Sequence, residues 1–148
     1  LSIPKMGILA MGLFAILLFV VSLGQTSTAD QDVDISLKQA TKTAMDAGIN
    51  KGTLRVTEEV TINPTVTKNA LYKVYADQDN FKDGQKKVII HSIQSRPAMI
   101  STEAYNKFDV PIYKYATDWD KKKRDSSSMV REQETSLFEA KDLVKTIK

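Results

Sequence analysis

The sequence predicts an α+β fold: a long N-terminal helix, apolar in its first half and amphipathic in its second, packed on a small antiparallel sheet that forms a head. Three observations lead there. Residues 6–24 carry no charge and are almost all Gly, Ala, Leu, Ile, Val, Phe and Met. Beyond them Val33, Leu37, Ala40, Ala44 and Ala47 recur at steps of four, three, four and three, with polar residues between. Later, two runs rich in β-branched and apolar residues flank Pro97, as the arms of a hairpin would.

The chain has 148 residues, enough for one compact domain with an extension. Residues 1–24 read as a hydrophobic helix, and residues 25–148 as its amphipathic continuation plus a head. Cysteine is absent, which excludes disulfides, zinc–thiolate sites and a cysteine nucleophile. The head must therefore rest on packing or on neighbours in an assembly. A net charge of +3 does not by itself demand a nucleic-acid partner.

As a helix, residues 6–24 cover about 28 Å, close to the ~30 Å hydrocarbon thickness of a bilayer. The segment is apolar all round, which suits lipid or the centre of a helix bundle. Lys5 precedes it, and Asp30, Asp32 and Asp34 follow it. The positive-inside bias then places the N-terminus in the cytoplasm and the head outside. Three readings compete: a signal peptide cleaved after Ala29, a permanent anchor, or a helix inserted first in the membrane and later packed into a filament core. Leu1 at the start of the chain is expected if a short leader is removed on the cytoplasmic side. The stripe from Val33 to Ala47 carries the helix past the membrane edge. Gly48 and the run to Gly52 are expected to end it. A continuous helix over residues 5–47 is about 64 Å long.

This layout resembles the type IV pilin superfamily, in particular the small pilin-like proteins of Gram-positive bacteria related to Tad pilins. The likeness covers roughly the first 50 residues at the level of architecture. It implies a structural subunit of an extracellular filament, inserted in the cytoplasmic membrane with its N-terminus inside and then assembled on the cell surface. The implied partners are the chain itself as a helical homopolymer, the membrane before assembly, and a pilus assembly machinery. The filament core falls to Ile8, Leu9, Leu13, Phe14, Leu17 and Val20, with Gly7 and Gly12 permitting close approach. Val33, Leu37, Ala40 and Ala44 seat the head. One residue departs from the pattern. Pilins of this superfamily have a glutamate near the mature N-terminus, paired with a neighbour's terminal amine, whereas Lys5 stands in that neighbourhood here. As an N-terminal charge Lys5 suits a lipid headgroup or a carboxylate in a fibre. Two alternatives stay open: a bitopic, pseudopilin-like accessory protein of a secretion, competence or conjugation machine, and a secreted binding module.

In the head, residues 53–56 and 60–62 are β-branched and read as short strands or an extended connection. Asn63-Pro64 starts a helix, with Asn as N-cap and Pro in the first turn. Its apolar face is Val66, Ala70, Leu71, Val74 and Tyr75, and it runs to about Asp77. The next residues, to Gly84, are loop chemistry. Residues 87–95 form a strand, Pro97 breaks it, and residues 98–108 return. Tyr113, Tyr115 and Trp119 follow Pro111 as an aromatic cluster, and residues 121–124 and 126–128 read as exposed loop. The last segment fits helical spacing at Val130, Gln133, Leu137 and Ala140, yet a closing strand around residues 136–140 suits a sheet in need of a third member.

Little in the sequence gathers into a catalytic set, and no enzyme or cofactor is expected. His91, the one histidine, sits in the strongest strand and reads as an ordinary strand residue. Ser92 and Ser95 lack the turn that aims a nucleophilic serine. Asp77, Asp79 and Asp83 fail the EF-hand spacing in both registers. Glu58-Glu59 and the Asp118/Asp120 pair lack a partner base. Trp119 with Lys121, Lys122, Lys123 and Arg124 is a candidate polyanion contact, since aromatic and cationic side chains together suit nucleic acid or an anionic cell wall; an exposed turn is the competing reading.

Overall fold

A computed structural model describes residues 2–78, 84–112 and 127–138. Three helices, α1 (Ile3–Gly48), α2 (Lys51–Thr57) and α3 (Pro64–Gln78), precede three strands, β1 (Gln85–Gln94), β2 (Met99–Asp109) and β3 (Ser127–Leu137). The strands form an antiparallel sheet in the order β1-β2-β3. The second half of α1 crosses one face of that sheet, and α3 packs beside it. The fold is α+β with a long N-terminal helix on a small antiparallel sheet.

Helix α1 is unbroken for 46 residues, about 69 Å. Its buried positions are Ser22, Ala29, Val33, Ser36, Leu37, Ala40, Thr41, Ala44, Met45 and Gly48. The steps of three and four between them draw one stripe along one side. On the sheet, Ile100, Thr102, Ala104, Asn106 and Phe108 are buried at alternate positions of β2, so this face meets the helix. Thr41 and Thr102 hydrogen-bond each other across that contact at 3.1 Å, which satisfies two hydroxyls inside the core. Leu71 and Tyr75 of α3, Ile62, and Val130 of β3 complete the cluster.

Several expectations change in detail. Ala47 is exposed, and Met45 takes the place expected for it; the head reaches α1 from the Ala44–Met45 side. Gly48 is the last helical residue rather than a left-handed residue beyond the end, and Ile49 is the C-cap. The glycine is needed for a close approach: a Cβ there would lie 2.0 Å from Thr67 Oγ1. The chain then folds back, with Asn63 N donating to Gly48 O and Asn50 N to Thr61 O, both at 2.8 Å, around an antiparallel bridge between Ile49 and Ile62.

Residues 53–56 are helical, in α2, and not a strand. Asn50 caps that helix, accepting from Gly52 N and Thr53 N, while Thr53 and Thr57 bond back to backbone carbonyls. Local capping outweighs β-propensity, which expresses itself mainly against a neighbouring strand. In α3 Asn63 caps as expected, accepting from Thr65 N at 3.0 Å. Thr67 is buried where an apolar residue was expected, and Val66 is 44% exposed.

β3 begins and ends earlier than the expected strand at 136–140. It pairs with β2 from Ser127 to Leu137, so Ser127 and Ser128 belong to the strand and not to a loop. Helical spacing in this segment yields to eleven consecutive backbone pairings with β2. The 79–83 part of the aspartate-rich loop, the aromatic cluster after Ile112, Asp118 and Asp120, Trp119 with Lys121–Arg124 as the candidate polyanion contact, and Ala140 lie outside the described residues.

Candidate functional site

The first half of α1 is a bare apolar rod. Ile8, Leu9, Leu13, Phe14, Leu17 and Val20 are all more than half exposed, as are Ile3, Met6, Met11, Ile16, Phe19, Val21 and Leu23. They lie on every side of the helix, so no single stripe is turned toward the head. A Cβ added at Gly7 or Gly12 would meet nothing within 4 Å, so the backbone is open there. Exposed apolar area on this scale marks a surface that meets lipid or protein. The helix is long and apolar enough to cross a membrane.

What holds this rod to the head is a short neck. Ser22, Thr26 and Thr28 each donate a hydroxyl to the carbonyl four residues back, Leu18 O at 2.7 Å, Ser22 O at 3.0 Å and Gly24 O at 2.9 Å. Those bonds carry the helix through its change from apolar to polar sequence without orphaned hydroxyls. Ser22 Oγ also accepts from Ile112 N at 3.3 Å, which ties the segment just after β2 to the rod. Phe19, Ser22, Leu23, Thr26, Val110 and Ile112 line a small groove of about 90 Å³ at this junction. The sequence reading missed Ser22 as a seating residue. Its signal was present: Ser22, Thr26, Ala29 and Val33 extend the stripe backward at steps of four, three and four.

Past the neck, Val33, Leu37, Ala40 and Ala44 are fully buried against the head. On the outer side of α1, Asp34 and Lys38 form an i,i+4 ion pair at 2.8 Å, and the Asp34 carboxylate beside Lys38 holds the lysine's proton more firmly than usual.

The head's other polar constellation lies on the sheet face turned away from α1. Glu103 of β2 sits between His91 of β1 and Arg131 of β3. His91 Nε2 is 2.7 Å from Glu103 Oε2, and the Arg131 Nε bonds Glu103 Oε1. A carboxylate only accepts, so His91 Nε2 carries the proton in this contact. The Arg131 hydrogen bond first, then that of His91, holds the Glu103 carboxyl below the usual carboxylate range, against burial, which raises it. A register shift between Ile90 and Ser92 makes His91 an extra residue in β1, a β-bulge that re-aims its side chain. Sequence alone gave no sign of the bulge, and hence none of this triad.

Ser95 Oγ donates to Ile62 O at 2.8 Å, so it fixes the loop and has no histidine partner. Glu59 meets Arg96 at 3.1 Å, on the rim of an open hollow with Val60, Ala98 and Phe138 in its lining. Among the described residues, no three His, Asp or Glu side chains converge in a way that would hold a metal. An exposed apolar rod is joined rigidly to a folded head, and its outer charges lie at the two ends of the apolar run. Compared with known proteins, the chain matches no family, no curated protein and no solved structure.

Proposed function

We propose that the chain is a structural subunit of an extracellular filament of the type IV pilin kind, assembled through residues 3–23. The single observation that carries this reading is the continuity of α1. One uninterrupted helix bears a largely exposed apolar half and, without a hinge, an amphipathic half whose stripe is buried in the head. A rod of this kind lodges in a bilayer before assembly and among identical rods afterwards, since both surroundings are apolar. Close packing and repeated contacts between many copies favour the second. A head-to-tail contact that does not close on itself propagates into a fibre. The partners are thus further copies of the chain, the cytoplasmic membrane that holds the rod with its N-terminus inside, and the machinery that extracts it.

Helix continuity also weighs against removal of the rod by cleavage after Ala29. The cut would fall inside α1 and take away Ser22 and Ala29, both buried in the head's packing. One observation favours a second reading, a bitopic accessory protein that stays in the membrane. Lys5 stands near the place where the pilin pattern has a glutamate, so the usual pairing with a neighbour's amine is missing. Negative-stain microscopy of surface material released by shear separates the two readings. Leu13→Arg places a charge in the middle of the rod and is expected to abolish fibres; abundant normal fibres from that variant refute the filament reading.

A further inference from the structure

We infer that Lys5 of one copy pairs with Asp30 of the copy beneath it, which sets the axial stagger between neighbouring subunits at 25 residues, about 38 Å along the helix. This inference rests on the filament reading above and specifies its contact.

The argument begins with the charge on Lys5. Bundled apolar rods exclude water, and an ammonium group left alone among them is strongly disfavoured. Residues 6–24 offer no counter-charge. Along a parallel neighbour, the first carboxylates past the apolar half are Asp30, Asp32 and Asp34. Asp34 is already held by Lys38, and Asp32 already has a partner. Asp30 is exposed, and no described residue pairs with it. It adjoins Ala29, the first alanine of the buried stripe, so it stands at the flank of the head where a neighbouring rod can reach it.

The same displacement places a second feature. Ile35 is 52% exposed on the outer side of the amphipathic half, where its neighbours Asp34, Lys38, Gln39 and Lys42 are polar or charged. With a stagger of 25 residues it lies level with Ala10 of the adjoining copy, in the middle of that copy's apolar run. The contact then covers an exposed isoleucine and neutralises a lysine together. Charge complementarity fixes the register, since apolar packing alone slides freely.

The test uses the absence of native cysteine. Ser2 and Ser27 are exposed, stand one helical turn before Lys5 and Asp30, and share the same separation of 25 residues. Fibres of the full-length Ser2→Cys/Ser27→Cys variant, with both charges intact, are oxidised and run on a non-reducing gel. Within one copy the two positions are about 38 Å apart, far beyond the ~7 Å limit for a disulfide. Every bridge is therefore between copies. A ladder of covalent multimers is expected, whereas each single-cysteine variant, whose cysteine faces a serine of the adjoining copy, stays monomeric on the gel. Fibres of the double variant that show no species beyond dimer overturn the register while leaving the filament reading intact. Absence of fibres from the unmodified chain overturns both. In a second arm, Asp30→Lys loses most of its fibres and Lys5→Asp/Asp30→Lys regains them; normal fibre yield from Asp30→Lys alone also overturns the pairing.

Discussion

The two halves of α1 are built from the same helix and are of comparable length, yet they differ in nearly every measurable respect. Leu13 is 59% exposed and Leu37 is 1% exposed. Around Leu13 the apolar side chains cover the whole circumference; around Leu37 they keep, Ile35 apart, to one stripe, with Asp, Lys and Gln on the rest. A stripe has one direction to bury and finds it within the same chain. A rod that is apolar all round has no preferred direction, and one small head cannot cover it. The comparison teaches that the second half is completed by folding, whereas the described head leaves the first half exposed.

The sharpest way to break that contrast is to shorten a leucine in each half. Leu37→Ala removes buried methyl groups and is expected to cost about 2–5 kcal/mol, read as a lower melting temperature of the detergent-solubilised chain. Leu13→Ala is expected to leave that melt in place, because Leu13 is already 59% exposed beside the described head. Equal losses from both would mean that the head already covers the rod in a single copy.

A second contrast uses glycine. At Gly48 an added Cβ meets Thr67 Oγ1 and also lies 3.2 Å from Thr67 Cβ, so α1 and α3 must part. Gly48→Ala is expected to destabilise the head by about 1–3 kcal/mol. Gly12→Ala points its methyl into open space and is expected to leave the melt unchanged while altering fibre yield. If Gly12→Ala instead weakens the isolated subunit, the division between the halves fails.

These contrasts show how far the sequence was legible. The stripe of Val33, Leu37, Ala40 and Ala44 could be read because helical burial has a simple period, and Asn63-Pro64 because a cap is a local event. Met45 for Ala47 was not legible: both lie close to the stripe, and only the position of α3 selects between them. Residues 53–56 misled because β-branched side chains express their strand preference only beside another strand, and none is available there. β3 misled for the opposite reason. Its inward positions include Glu132 and Glu134, so alternation is blurred, and pairing with β2 decides. The His91–Glu103–Arg131 triad depends on a bulge and on register across three strands, neither of which leaves a short-range mark. In the rod, apolar character and length were plain, but the anchoring role of Ser22 was masked by its place inside the apolar run.

A smaller effect tests the capping logic that starts α3. Asn63→Ala removes the acceptor for Thr65 N and Val66 N and is expected to cost about 1 kcal/mol. Asn63→Asp, which keeps an acceptor at a helix N-terminus, is expected to restore most of it. Loss of stability in the alanine variant with no recovery in the aspartate variant would shift the role of Asn63 from its side chain to its backbone bonds with Gly48 and Thr67.

The smallest expected effect belongs to the sheet face turned away from α1, because Arg131 is 63% exposed and solvent screens its attraction for Glu103. Arg131 and His91 lower the Glu103 pKa below its usual value of 4.5. A group whose pKa is depressed by folding adds stability when it is ionised in both states, which holds above that usual value. The contribution fades as the pH drops below 4.5 through the depressed value, where protonation removes the acceptor that Arg131 needs. Melting temperature measured between neutral pH and pH 3 is therefore expected to fall less steeply in Glu103→Gln than in the unmodified chain, with the two curves converging at the acid end. The neutral amide still accepts from Arg131 or His91, so the fold survives the substitution. Parallel acid limbs would show that Glu103 is ionised no more readily in the folded head than in the unfolded chain. The rod provides the internal control: it contains no titratable group between Lys5 and Asp30, so an acid limb that Glu103→Gln removes has its origin in the head.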